Sequence, residues 1–199
     1  MSFVGAALAH WRDTWARRAG EFVGRHGLRV WQAGYEGRAL GFAERLGEGS
    51  VRAAELLGVG VLAQAVDYAV AGHRYRRLTV EEAAFAKTRF DAAMLSRVWV
   101  DEGARLTAGS LRIAFVFGYV IKLVERPPLP LLMHELVHVR QFERWGWAYV
   151  AKALCAQHTG SGYHYWPGTP AYLLNAEQEA AALEDAVRTE LGGPTRFRL

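Results

Sequence analysis

Cysteine is almost missing from this 199-residue chain. Cys155 stands alone, so no internal disulfide can form and no thiolate cluster can hold a metal, which leaves histidine and carboxylate as the only ligand types for one. Proline is missing from the first 126 residues, all six falling at Pro127 or later, and that leaves the N-terminal part free to run in long helices. Long apolar runs are missing too. The most apolar stretch, 56–72, is interrupted by Gln64, Asp67 and several glycines and falls short of the ~20 apolar residues that span a bilayer. No secretory leader is evident, since the apolar residues 3–9 have no basic residue before them and run straight into His10, Trp11 and Arg12. The expectation is a cytoplasmic protein, or one delivered by a non-classical secretion route, with no signal peptide or transmembrane helix.

A hydrophobic content of 51% is ample for a packed core, which excludes a disordered chain. The net charge of +4 is unevenly placed: residues 1–78 carry eleven arginines against seven acidic residues, while 79–199 are balanced at thirteen each. No nucleic-acid motif accompanies this excess, and a nucleic-acid partner is not expected.

Val4, Leu8, Trp11 and Trp15 recur at helical spacing, as do Leu28, Trp31, Tyr35, Ala39, Phe42 and Leu46. A third helix is expected from Ser50, as N-cap, to Ala71. These form an amphipathic helical N-terminal segment, 1–76, whose faces suit either packing as a helix hairpin or docking, through residues 1–75, on a membrane surface or a protein partner. From 77 onward the pattern changes. Thr79 and Glu82 read as a capping box opening a helix to about Leu95. Residues 96–101 read as a short strand, and 111–124 as one or two strands broken near Gly118. Pro127, Pro128 and Pro130 close that region and let a helix begin near Leu131. The fold expected is α+β and mostly helical, with a small, mostly antiparallel sheet in a domain spanning 77–199.

The helix after the prolines carries His134-Glu135-Leu136-Val137-His138. Positions i and i+4 project from one helical face, so both imidazoles can reach one ion, while Glu135 emerges roughly 100° round the helix and can address water there. Its other residues, Leu132, Met133, Val139 and Phe142 among them, lie on several faces, so this helix is expected to be buried. Metal coordination then supplies partners for two histidines that would otherwise be costly polar insertions. A tetrahedral catalytic site needs one more protein ligand. A histidine six residues after His138 would supply it in metzincins, but Arg144 stands there. The carboxylate-rich helical stretch 172–191 is the better source.

Residues His134 to Gln141, followed by Asn175-Ala176-Glu177-Gln178-Glu179-Ala180, resemble the compact bacterial gluzincin-type metallopeptidase domains, including those associated with extracellular contractile injection systems. The resemblance extends upstream over Leu78 to Glu82, Phe90, Ser96 to Val100 and the strand near Leu111 to Phe117. It covers about 79–190 and leaves the N-terminal segment outside it. It implies a minimal zincin-like domain holding one Zn²⁺ on His134, His138 and Glu177, with Glu135 as general base hydrolysing peptide bonds of a peptide or protein substrate. Glu179 is the competing third ligand, about 200° away on the same helix. Many related sites have Asp four residues beyond the ligand. Ala181 stands there in this chain, and Asp185, one turn further, is the candidate partner for a ligating imidazole. For the oxyanion donor the stretch 160–168 offers Tyr163 first, then His164 and Tyr165. Gln141, near one turn beyond His138, is a candidate for orienting a ligand or substrate. Two other functions stay open: a noncatalytic zinc-binding interaction scaffold, and a docking protein acting through its N-terminal helices.

Overall fold

The computed structural model describes residues 3–22, 42–69, 74–103, 114–123, 125–158 and 162–199. The helix expected over Leu28 to Leu46 falls mostly outside them. Helix α1 spans Phe3–Phe22, α2 Phe42–Leu56 and α3 Val59–Ala69. Ser50 is interior to α2 rather than a cap, and the chain breaks instead at Leu57 and Gly58, where Gly49–Leu56 and Val59–Ala69 meet at 75°. Among the described residues no single helix is long and apolar enough to cross a membrane, although this bent pair passes the same test by length and composition.

Next come β1 (Tyr75–Arg76), α4 (Val80–Ala86), α5 (Ala92–Leu95), β2 (Trp99–Asp101), β3 (Phe115–Phe117) and β4 (Val120–Lys122). Thr79 caps α4 with Glu82 reaching back, the capping box that the sequence predicts. The helix expected to continue to Leu95 is instead two, because Asp91 accepts the amides of Ala93 and Met94 and starts a new helix there. The four strands lie in the order β1-β2-β4-β3. β1 with β2 and β3 with β4 are antiparallel, but β2 and β4 run parallel, so the sheet is mixed, with two of its three pairings antiparallel. Gly118, at φ +69, turns the β3–β4 hairpin.

α6 (Leu129–Trp145) begins on Pro128, with Pro130 in its first turn where the missing N–H costs nothing. It is buried on nearly every face, between the sheet, α7 (Ala148–His158) and α8 (Ala176–Glu190). Leu132, Met133, Leu136 and Val137 are fully enclosed with Val98, Val100, Tyr119 and Ile121 in one core. The N-terminal helices pack onto this core. Gln64 of α3 donates to the Phe117 carbonyl at 2.6 Å, and Asp67 pairs with the buried Lys122 ammonium at 2.7 Å.

α1 is anchored by polar contacts. Arg18 donates to His10 Nε2 at 2.6 Å, which leaves the imidazole proton on Nδ1 to meet the Tyr119 hydroxyl at 3.0 Å, and that hydroxyl donates to Glu143 at 3.1 Å. Burial, and after it the Arg18 charge, pushes the His10 imidazole from 6.5 down to about 3. Unfolding therefore takes up a proton between those values. Stability supplied by neutral His10 is complete above pH ~6.5 and is lost as pH falls toward ~3, by at most ~1.4 kcal/mol per pH unit. Urea unfolding at pH 7 and pH 5 is expected to show a shallower acid loss for His10→Gln than for the parent chain, and parallel losses would count against this account.

Candidate metal centre

The site is built where α6 crosses α8. Asn175 caps α8 with a reciprocal bond from Gln178, fixing the first turn and with it the direction of Glu177. Glu177 Oε2 lies 3.5 Å from His134 Nε2 and 3.5 Å from His138 Nε2. A direct charge-assisted bond would be shorter, ~2.7–2.9 Å. The spacing matches instead the roughly 3.4 Å between ligand atoms around a tetrahedral ion with ~2.0–2.1 Å bonds. All three ligand atoms fall within 4.8 Å of one another, all three residues are buried, and Glu177 Oε2 has no hydrogen-bond partner. That enclosed, unpaired oxygen facing two imidazole nitrogens fits a metal ion.

The atoms behind the group aim it. His138 Nδ1 meets Gln141 Oε1 at 2.8 Å, so Nδ1 carries the proton and the Nε2 lone pair faces Glu177. Gln141 in turn donates to the Ala176 carbonyl at 2.9 Å and to Glu179 at 2.8 Å, which leaves its oxygen only the imidazole to serve. His134 Nδ1 lies 3.0 Å from Glu184, whose other oxygen accepts from Arg188. Gln157 of α7 donates to Glu177 Oε1 at 2.9 Å and leaves Oε2 free to face the two imidazoles.

Electrostatically the group favours a cation. Burial works against charge on His134, yet Glu177 and Glu184 outweigh it and hold the imidazole up to about 10. Burial likewise opposes charge on Glu177, and the two imidazoles overcome it to hold the carboxyl at about 2. Glu135 differs: burial dominates and pushes its carboxyl up, against the pull of both histidines, and its Oε2 has no hydrogen-bond partner.

The predicted residues divide into two sets. His134, Glu135, His138, Glu177 and Tyr163 line one cavity of about 850 Å³. The Tyr163 ring stands 6.0 Å from that of His134 and stacks on Phe197 at 5.6 Å. Gln141 supports a ligand from behind. Glu179 turns away, to Arg140 at 2.9 Å and to Gln141. His164 is exposed beside the Phe197 carbonyl. Tyr165 donates to Asp185 at 3.3 Å, and Asp185 spends its carboxylate on the amides of Arg196, Phe197 and Arg198, holding the C-terminal tail rather than an imidazole.

Sequence reasoning missed Glu184, Gln157 and Tyr149. Glu184 carries a readable signal: seven residues after Glu177 is only ~20° short of two full turns, so both carboxylates share one face. Tyr149 is fully enclosed, its ring 6.1 Å from that of His138 and its hydroxyl donating to the Val116 carbonyl; burial pushes that phenol well above its ordinary value. Glu184→Ala is expected to weaken metal binding ~10–100-fold in a chelator competition titration, while Asp185→Asn leaves it unchanged. The opposite ranking would reverse these roles.

Comparison with known proteins returned no match: no family model, no curated protein and no solved structure resembles the chain closely enough to register.

Proposed function

We propose that this chain is a zinc-dependent peptide hydrolase of the gluzincin type. The observation that carries the reading is the convergence of His134 Nε2, His138 Nε2 and Glu177 Oε2 in the cavity that also receives Glu135, whose buried Oε2 has no hydrogen-bond partner. Two imidazoles and one carboxylate form the donor set of catalytic zinc sites, and a bound Zn²⁺ supplies Lewis-acid activation of water and of the substrate carbonyl.

The chain's own residues supply the rest. Glu135 takes the proton of the attacking water and returns it to the leaving nitrogen, and burial raises its carboxyl above the ordinary carboxylate value. Burial, reinforced by Glu177 and Glu135, pushes the Tyr163 phenol up to about 12, so its O–H persists as a donor for the developing oxyanion. Gln141 fixes the tautomer of His138, and the Glu184 carboxylate, 3.0 Å from His134 Nδ1, favours a proton on that nitrogen.

Glu135→Gln tests the reading. The variant is expected to keep one zinc per chain by elemental analysis while cleavage of a quenched-fluorescence peptide library falls at least ~10²–10⁴-fold. A parent chain fully loaded with zinc and inert toward every peptide would favour the noncatalytic zinc-binding scaffold. An intact glutamate between the two histidines has no purpose in such a scaffold.

A further inference from the structure

The cavity over the metal group is far larger than an ion and its water require. Its volume of about 850 Å³ falls in the range of ~300–1,000 Å³ for pockets that enclose a whole ligand. The N-terminal helices form one of its walls: Val51 and Ala54 of α2 and Val59, Gly60 and Ala63 of α3 face into it at helical spacing. Phe115 and Phe117 of β3, with Trp147, Val150 and Leu154 of the α7 region, stand among its other lining residues.

Most of the polar lining residues belong to the metal group and its supports. Away from the metal group and its supports, the charged lining residues are Glu55, whose carboxylate is paired with Arg18, and Arg196, which is exposed. Small side chains help to make the space, Ala54 and Ala63 on one side and Ala114 and Ala153 on the other. The group that points to a ligand is Glu135, 3% exposed, lining this cavity with a carboxylate oxygen that has no hydrogen-bond partner.

We infer that the cleft takes a polypeptide segment with bulky apolar side chains beside the scissile bond, and that α2 and α3 are one jaw of it, setting substrate choice. This rests on the peptide-hydrolase reading for the orientation of the segment toward Glu135. Against the lining from α2, α3 and β3, where the charged residue, Glu55, is already paired with Arg18, a charged side chain would give up its water without a partner, whereas Leu, Phe or Val replaces cavity water with contact. The N-terminal segment is then substrate-binding structure rather than an appendage.

The test uses binding, so that failure of cleavage and failure of this inference stay separate. In the zinc-loaded Glu135→Gln variant of the 199-residue chain, fluorescein-labelled decapeptides identical except for a central Leu-Phe-Val-Leu or Ser-Asp-Thr-Asn are compared by fluorescence anisotropy. The apolar peptide is expected to bind at least tenfold more tightly, and adding Ala63→Phe to close the cavity is expected to cost at least tenfold, with zinc content and thermal midpoint retained. Ala63→Leu and Ala54→Leu provide graded versions should the larger residue impair folding. Equal affinity for the two peptides overturns the inference, as does unchanged affinity in a folded, zinc-loaded Ala63 variant. Binding of laurate in preference to both peptides overturns it as well.

Discussion

Glu177→Ala is expected to cut zinc affinity by at least ~10³-fold, beyond the ~10–100-fold typical of losing an outer partner, because it removes one of three protein ligands. No neighbour can substitute. Glu179 on the same helix turn is held by Arg140 and Gln141, and Glu184 is engaged by His134 and Arg188. The readout that separates ligand loss from misfolding is the zinc dependence of thermal unfolding. A ligand present at 100 times its Kd stabilises by ~2.7 kcal/mol, so the parent chain should melt at higher temperature with zinc and Glu177→Ala should not. Glu179→Ala is the control, expected to keep the zinc-dependent rise. Loss of the rise in Glu179→Ala alone would transfer the ligand role to that residue.

Gly146→Ala is expected to destabilise the whole fold by at least about 3 kcal/mol, the lower end of the range for breaking a buried ion pair. Two causes converge at this position. Its backbone, at φ 62 and ψ −147, lies in a region essentially restricted to glycine, and a side chain there adds roughly 1–3 kcal/mol of strain. A Cβ would also overlap the Arg18 guanidinium and the Glu55 carboxylate, a pair 3% and 4% exposed that joins α1 to α2 directly over the α6–α7 turn. Displacing either ion separates a pair held in an enclosed site. Urea unfolding should show a large drop in midpoint, and a change under 1 kcal/mol would mean that the pair swings aside without cost. The double change Arg18→Met with Glu55→Leu offers a check, since replacing both ions with apolar groups of similar size removes the electrostatic part of the Gly146→Ala cost.

The parts legible in the sequence are those whose determinants lie within a turn or two of one another. The Thr79–Glu82 and Asn175–Gln178 boxes start their helices through contacts three residues apart, of which the first was readable as a cap, and the prolines from Pro127 mark the start of α6. The pairing of His134 with His138 follows from helix geometry alone, whereas Glu177 required a pattern matched in a separate helix. Glu184 rather than Asp185, one residue and about 100° away, lies beside His134, because which face of α8 looks at α6 is decided by tertiary packing. The parallel pairing of β2 with β4 has the same origin. These strands are separated by 18 residues or more, and hairpin chemistry specifies only the β3–β4 turn. The cavity wall was hidden for a third reason: Ala54 and Ala63 read as ordinary helix formers, and only the approach of α2 and α3 to α7 and the sheet gives their small size a meaning.

Gln141 has a consequence for which ions the site tolerates. A single amide sets the rotation of the His138 ring with its oxygen and the seating of α8 with its nitrogen, through Ala176 and Glu179. The angle between ligands is thereby tied to the crossing of two packed helices. An ion that prefers six oxygens and octahedral angles, such as Mg²⁺, suits this donor set poorly, whereas an ion content with tetrahedral angles and imidazole ligands suits the spacing as it stands. Were the group to hold an ion, discrimination among metals would be a matter of mechanical stiffness, stored in a side chain that touches no ion.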